Sequence, residues 1–95
     1  MLILLSGRII YYHICMKAKE RRREMIFDIV RNQMKNNNPP ETNLTYKRLI
    51  GMGYSDFDTM QYIGQCIAVE LYHVLKFKEP FDEQRYLRHL KQLPE

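Results

Sequence analysis

The spacing of apolar residues predicts one long amphipathic helix from Ser55 to Phe77. Its apolar positions recur at steps of three and four residues, a period that fits an α-helix and excludes a strand. The main stripe contains Met60, Ile63, Ile67, Leu71, Val74 and Leu75, and a second stripe beside it contains Tyr62, Cys66, Val69 and His73. A helix that is apolar around more than half of its circumference belongs at the centre of a fold. We therefore expect this segment to be the core helix.

Two other helices are predicted near the ends of the chain. The first spans residues 17–36, and the run of asparagines at 36–38 ends it, because Asn competes with the helix backbone and tolerates left-handed geometry. Its apolar face contains Met25, Ile26, Ile29, Val30, Gln33 and Met34. The last helix begins after Asp82 as N-cap, with Phe81 placed to pack on Tyr86 one turn later, and continues until Pro94.

The second helix is predicted from the segment Asn38-Pro39-Pro40-Glu41, with Asn38 as N-cap, proline at the first helical position and Glu41 closing a capping box. It runs to about residue 50, and Gly51 or Gly53 supplies the left-handed residue that ends it. We expect it to bury Leu44, Leu49 and Ile50. Ser55, with Asp58 three residues later, caps the core helix.

Four helices with short connections predict an all-α fold, a compact four-helix domain with a long central third helix. We expect residues 17–95 to form this single domain and residues 1–16 to be an N-terminal extension. Residues 1–15 have three open interpretations: an extension outside the domain, with Met16 or Met25 as a cleaner start; an ordered strand or helix, such as a hairpin around Ser6-Gly7; or a membrane-surface anchor.

Composition places the chain among ordinary globular domains, with 95 residues, 45% hydrophobic and 27% charged residues. The net charge is +4, and residues 17–24 supply five basic and two acidic residues of the balance, so the basicity is local. Two cysteines without a CxxC spacing favour a reducing, cytoplasmic compartment. The sequence has no apolar run of the roughly 18 residues that a membrane span needs.

Glu70 and His73 are three positions apart on the core helix, the spacing that carboxylate-bridged metal sites use. Asp28 or Gln33 is the candidate for a third ligand. Such sites need further inward carboxylates, so the alternative is a boundary Glu and a hydrogen-bonded His. His13 and His89 lack partners at ligand spacing and are expected to be solvated. We assign no catalytic residue, no cofactor and no firm metal site, because the sequence contains neither a complete catalytic constellation nor a phosphate-binding loop.

The basic run contains Lys17, Lys19, Arg21, Arg22 and Arg23. Such a run is typical of a solvated helix face, and it is also a candidate nucleic-acid contact. Nucleic-acid binding would be supported by aromatic residues on the same face, since bases stack on aromatic rings.

From about Ile26 to Glu95, about three quarters of its length, the chain resembles a family of small bacterial proteins and domains of unknown function. The matching residues are Gln33, Pro39-Pro40-Glu41, Arg48-Leu49, Gly53-Tyr54, Ile63-Gly64, Glu70, His73, Pro80-Phe81-Asp82, Tyr86 and Leu93-Pro94-Glu95. These are caps, turns and stripe residues, so the resemblance implies a shared helical fold and no established reaction.

We therefore expect a non-enzymatic interaction or accessory domain, with nucleic-acid binding and metal binding as alternatives. The two apolar stripes on one helix predict an exposed apolar patch and self-association. Gly64, between Met60 and Ile67, is predicted to mark the closest approach of another helix.

Overall fold

The computed structural model describes residues 20–94, which contain four α-helices and no strand. Helix α1 occupies residues 20–36, α2 spans Pro40–Gly51, α3 spans Asp56–Phe77 and α4 spans Glu83–Gln92. The predicted all-α class and the long third helix are therefore confirmed. The extension at 1–16 and the predicted start of the first helix lie outside the described residues.

Helix α3 supplies the centre of the core. Its buried residues pack with residues from the three other helices and with Leu93, just after α4. The core consists of Val30, Leu49, Met60, Ile63, Cys66, Ile67, Tyr86, Leu90 and Leu93, each at most 9% exposed. Burying these side chains is the main force that holds the helices together.

Helices α1 and α3 run antiparallel and approach closely at Gly64. A Cβ atom added at Gly64 would lie 3.0 Å from Cγ2 of Ile26. Towards one end of the pair, Met34 lies near Met60, and towards the other, Arg22 lies near Ala68. The prediction that another helix approaches Gly64 is confirmed, because the missing side chain leaves the space that Ile26 fills.

Most helix ends follow the sequence signals. The Ser55 side chain accepts a hydrogen bond from the backbone N–H of Asp58, and the Asp82 side chain accepts one from that of Arg85. The Phe81 and Tyr86 ring centroids are 5.6 Å apart, so the predicted packing of Phe81 on Tyr86 is confirmed. Gly53, with φ of +98°, supplies the left-handed residue after α2.

The predicted start of α2 is wrong by one residue. Pro39 is the N-cap, with φ of −76° and ψ of 150°, and Pro40 is the first helical residue. A residue that precedes proline avoids the helical region for steric reasons, so Pro40 keeps Pro39 extended. The N-cap therefore makes no side-chain hydrogen bond, and the expected capping box between Asn38 and Glu41 does not form.

The predicted buried face of α2 is correct only at Leu49. Leu44 is 63% exposed and Ile50 is 40% exposed, whereas Thr42 and Thr45 are buried. Thr42, Thr45 and Leu49 follow helical spacing and share one side of α2. The apolar pattern predicted the wrong side of α2, because two threonines of low hydropathy occupy the buried side.

The main stripe of α3 is buried only in its first half. Met60, Ile63 and Ile67 are at most 5% exposed, but Leu75 is 79% exposed. Among residues 20–94, no helix proves both long and apolar enough to cross a bilayer.

Candidate functional site

The Glu70 carboxylate is fully buried and accepts hydrogen bonds from two residues at the start of α4. Oε2 accepts a hydrogen bond from Nε of Arg85 at 2.6 Å, and Oε1 accepts one from Nη2 at 3.0 Å. Oε1 also accepts from the backbone N–H of Asp82 at 3.0 Å. The Arg85 hydrogen bonds hold the pKa of Glu70 below its ordinary value, although burial opposes this shift.

The other two metal-ligand candidates lie in different surroundings. Nδ1 of His73 is 3.9 Å from a carboxylate oxygen of Glu79, whereas Asp28 is exposed and pairs with Arg31 at 2.9 Å. No group of three His, Cys, Asp or Glu within residues 20–94 is arranged to hold a metal ion. The described residues thus give Glu70 an ion-pairing role and bring no third ligand to it and His73.

A polar cluster in the interior joins three helices. Thr42 Oγ1 donates to Oε1 of Gln33 at 2.8 Å, and the Tyr86 hydroxyl donates to the same oxygen at 2.7 Å. The two hydroxyl oxygens are 3.0 Å apart. Burial raises the pKa of Tyr86 to about 12. Thr42 and Tyr86 are both fully buried, so this cluster stabilises the packing of the three helices.

Sequence reasoning found one part of this cluster and missed the rest. Gln33 was visible as the one amide in the apolar face of α1. Thr42 gave no signal of its own, because a threonine in the first turn of a helix is common at the surface. The available signal was an amide on a core face, since a buried amide needs polar partners.

Arg48 holds the other end of α4. Its guanidinium donates to the backbone oxygen of Leu90 at 2.8 Å and to that of Leu93 at 2.6 Å. The last carbonyl groups of a helix lack partners within the helix, and a cation there also interacts favourably with the helix dipole. Helix α4 is therefore held at its start by Glu70, in its middle by the Tyr86 cluster and at its end by Arg48.

The second half of α3 presents aromatic side chains to solvent. Residues Val69, Tyr72, His73, Lys76 and Phe77 lie on one side of the helix, which we call the outer aromatic face. Tyr72 and Phe77 are 51% and 52% exposed, and Val69 is 39% exposed. The ring centroids of Tyr72 and Phe77 are 6.1 Å apart.

Lys76 orders this face. Its Nζ donates to the Tyr72 hydroxyl at 2.7 Å and lies 5.2 Å from the Tyr72 ring centroid and 5.8 Å from that of Phe77. The His73 and Phe77 ring centroids are 5.4 Å apart. An ordered set of half-exposed rings presents apolar area with little entropy left to lose on binding.

The described part of the basic run lies at the start of α1. Arg21, Arg22 and Arg23 are exposed, while Lys17 and Lys19 lie outside the described residues. The Arg23 guanidinium carbon is 5.9 Å from the ring centroid of Phe57, which is 50% exposed. An open groove of about 380 Å³ is lined by Arg22, Arg23, Ile26, Phe27, Gln61, Gly64, Gln65 and Ala68.

Two remaining candidates have plain structural positions. Cys66, in the second apolar stripe of α3, is buried, and burial raises the pKa of its thiol to about 11, which makes it a poor nucleophile at neutral pH. His89 was expected to be solvated, but it is only partly exposed and its Nδ1 is buried. His89 lies next to the core, on the side of α4 that faces α3, and this position explains its partial burial. His13 lies outside the described residues.

No family model, no curated protein and no solved structure matches this chain. The resemblance to the small bacterial family stays a prediction. Several residues that carry it have direct contacts here: Gln33, Arg48, Glu70 and Tyr86 all hold α4 in place. These residues therefore account for a fold without requiring a reaction.

Proposed function

We propose that this chain is a non-enzymatic interaction or accessory domain, and that the outer aromatic face binds protein, with a second copy of the chain as its partner. The observation that supports this proposal is the half-exposure of Tyr72 and Phe77 side by side on a formed helix. Exposed rings on one face are costly in water and are enriched at the energetic centres of protein interfaces.

The most polar buried groups support a non-enzymatic role. The Glu70 carboxylate is engaged by Arg85 and Asp82, and the Tyr86 hydroxyl is enclosed with Thr42 and Gln33. A general acid or base must reach the substrate proton within hydrogen-bond distance. Because these groups are enclosed and already paired, they serve packing.

A second copy suits this face because the face is a single helix side. Two such helices packed about a two-fold axis bury the same residues on each partner, so each Tyr72 and Phe77 contributes twice. A stable dimer needs on the order of 800 Å² from each partner, and exposed rings supply area efficiently. Lys76 at the edge of the rings would remain at the polar rim.

Light scattering over a wide concentration range tests the proposal. We expect the mass of the full chain to rise towards that of a dimer, and Tyr72→Asp or Phe77→Asp to return it to the monomer. Leu44→Asp is the matched control, since Leu44 is 63% exposed on α2 and lies outside this face. A monomer at every concentration, or equal loss in the control, contradicts the proposal.

Nucleic-acid binding through the basic run is the second candidate, favoured by one observation. The Phe57 ring lies beside Arg23 and is half-exposed, so an aromatic surface accompanies the cations. Proteins that bind single strands combine cations for the phosphates with rings on which bases stack. Asp56 and Asp58 flank Phe57 on the same helix and repel phosphate, so this function ranks second.

A bacterial source and a reducing, cytoplasmic compartment belong to the same proposal. The family resemblance supports the first. The buried free thiol of Cys66 supports the second, because it takes part in no disulfide.

A further inference from the structure

The open groove of about 380 Å³ between α1 and α3, which we call the α1–α3 groove, has an apolar part and a basic edge. Ile26 and Phe27 of α1 and Ala68 of α3 line the apolar part, and all three are partly exposed. Gly64 leaves room here, because a Cβ atom in its place would lie 3.0 Å from Cγ2 of Ile26 and 3.7 Å from Cε1 of Phe27. Pockets that bind small molecules usually have volumes of about 300–1,000 Å³ and combine apolar walls with a few polar groups. The groove has both properties.

The charged side chains along the groove are all positive. Arg22 and Arg23 line its edge together with the amides of Gln61 and Gln65, and none of its described lining residues is acidic. The Arg23 guanidinium carbon lies 5.9 Å from the Phe57 ring centroid, and no carboxylate within residues 20–94 pairs with Arg23. A guanidinium presents its N–H donors in a planar fork that matches the two oxygens of a carboxylate. The edge of the groove therefore favours an anionic ligand.

We propose that the α1–α3 groove binds a small aliphatic carboxylate, with its hydrocarbon chain on Ile26, Phe27 and Ala68 and its carboxylate at Arg23. Gln61 and Ala68, which both line the groove, are seven positions apart and therefore about 10 Å apart along α3, close to the length of extended octanoate. The chain gains affinity by leaving water, and the carboxylate gains it from the guanidinium donors. The apolar part distinguishes this ligand from an inorganic anion, which would need the cations alone.

The groove and the outer aromatic face have no residue in common. Ala68 lines the groove, and Val69, the next residue, lies on the outer aromatic face, turned by about 100° around the helix. A ligand in the groove and a second copy on the outer aromatic face can therefore bind at the same time. The inference thus stands whether or not that face forms a dimer.

Titration of the full chain with octanoate, followed by nuclear magnetic resonance, tests the ligand class. The methyl resonance of Ala68 and the side-chain amide resonances of Gln61 and Gln65 report on the groove. We expect these resonances to shift and saturate with octanoate. At the same concentrations, acetate lacks the chain and octanol lacks the charge, so both should give much smaller shifts.

Two pairs of variants test the placement of the ligand. Arg23→Gln should weaken octanoate binding about tenfold, because charge-assisted hydrogen bonds are lost. Arg88→Gln, which removes an exposed cation on α4, is its control and should leave binding unchanged. Ala68→Asp should weaken binding more than Ala68→Asn, because the two new side chains have the same size and only the first repels a carboxylate.

Saturable binding that needs both the chain and the charge, and that falls in Arg23→Gln and Ala68→Asp, supports the proposal. The absence of saturable shifts with octanoate overturns it, as does equal binding of octanol or equal loss in Arg88→Gln. Binding of labelled single-stranded RNA without binding of octanoate assigns the cations to nucleic acid and overturns it too. Should Ala68→Asp unfold the chain by circular dichroism, the exposed Arg23→Gln variant and the comparison of octanoate with octanol on the parent chain give the decision.

Discussion

Arg85 donates hydrogen bonds to both oxygens of the buried Glu70 carboxylate, with Nε 2.6 Å from Oε2 and Nη2 3.0 Å from Oε1. The two residues are 15 positions apart and join the middle of α3 to the first turn of α4. A planar guanidinium that meets a carboxylate at two points is among the strongest polar contacts in proteins. Glu70 is fully buried, so it depends on this partner.

Removing one partner of this pair is expected to destabilise the fold. Glu70→Gln keeps an acceptor for the Asp82 N–H but loses the charge, and we expect a cost of about 1–3 kcal/mol in the free energy of unfolding. Arg85→Met leaves a buried carboxylate without its cation, so its melting temperature should fall further. Urea and thermal denaturation measure both.

The control for the Glu70 pair is Asp28→Asn, which removes the exposed pair between Asp28 and Arg31. Its stability should stay unchanged, because exposed ion pairs contribute little. If Arg85→Met is as stable as the control, the two-point contact does not hold α4.

The same pair predicts an acid-dependent loss of stability. The pKa of Glu70 lies below its ordinary value of 4.5 in the folded chain, chiefly through the Arg85 hydrogen bonds. The folded state therefore binds the proton less readily than the unfolded state. The stabilisation is present above pH 4.5 and is lost as the pH falls through the lower folded value. Unfolding curves from pH 7 to pH 3 should show a smaller decline in Glu70→Gln than in the parent chain.

Substitutions at Gly64 should separate close packing from helix propensity. A Cβ atom there meets Cγ2 of Ile26 at 3.0 Å, so the Ile26 side chain must shift by a few tenths of an ångström. Gly64→Ala should change the unfolding free energy by less than about 1 kcal/mol, since the gain in helix propensity offsets the contact. Gly64→Leu should cost about 1–3 kcal/mol through overpacking. Equal stability of the two variants in urea would contradict close packing of α1 on α3.

Tyr86→Phe tests the interior polar cluster. Removing the hydroxyl should lower the free energy of unfolding by only about 1 kcal/mol, because the 2.8 Å hydrogen bond between Thr42 and Gln33 remains. Burial raises the pKa of Tyr86 from 10.0 to about 12, so the unfolded chain loses its phenol proton first as the pH rises. Stability from this group is complete below pH 10 and is lost towards pH 12. The Phe variant should lose less stability over that range, and an identical alkaline decline in both proteins would place Tyr86 in water.

Binding of labelled single-stranded RNA tests the second candidate function. Arg21, Arg22 and Arg23 changed together to Ala should abolish any salt-dependent rise in fluorescence anisotropy. Phe57→Leu should weaken binding less and without changing the salt dependence, because it removes stacking and no charge. The control is Lys91→Ala, an exposed cation at the end of α4. Absence of binding at low salt removes this function.

Local signals in the sequence determined the helices and most of their ends. Ser55 and Asp82 cap their helices by hydrogen bonds to residues three positions away, and Gly53 adopts a left-handed backbone, so neighbours in the chain suffice for these features. The apolar period of α3 and the gap in it at Gly64 were enough to predict a central helix with a close neighbour. The caps and the turn depend on interactions within about one helical turn, which a sequence displays directly.

Tertiary structure decided which apolar and polar side chains are covered. Leu44 and Leu75 share the apolar character of Leu49, yet within residues 20–94 only Leu49 of the three is buried. Hydrophobicity alone does not reveal which side chains another helix covers. The partner of Glu70 is Arg85, and spacing within one helix could not find it. Burial and ion pairing depend on the placement of whole helices against each other, and that placement is set by all the contacts at once.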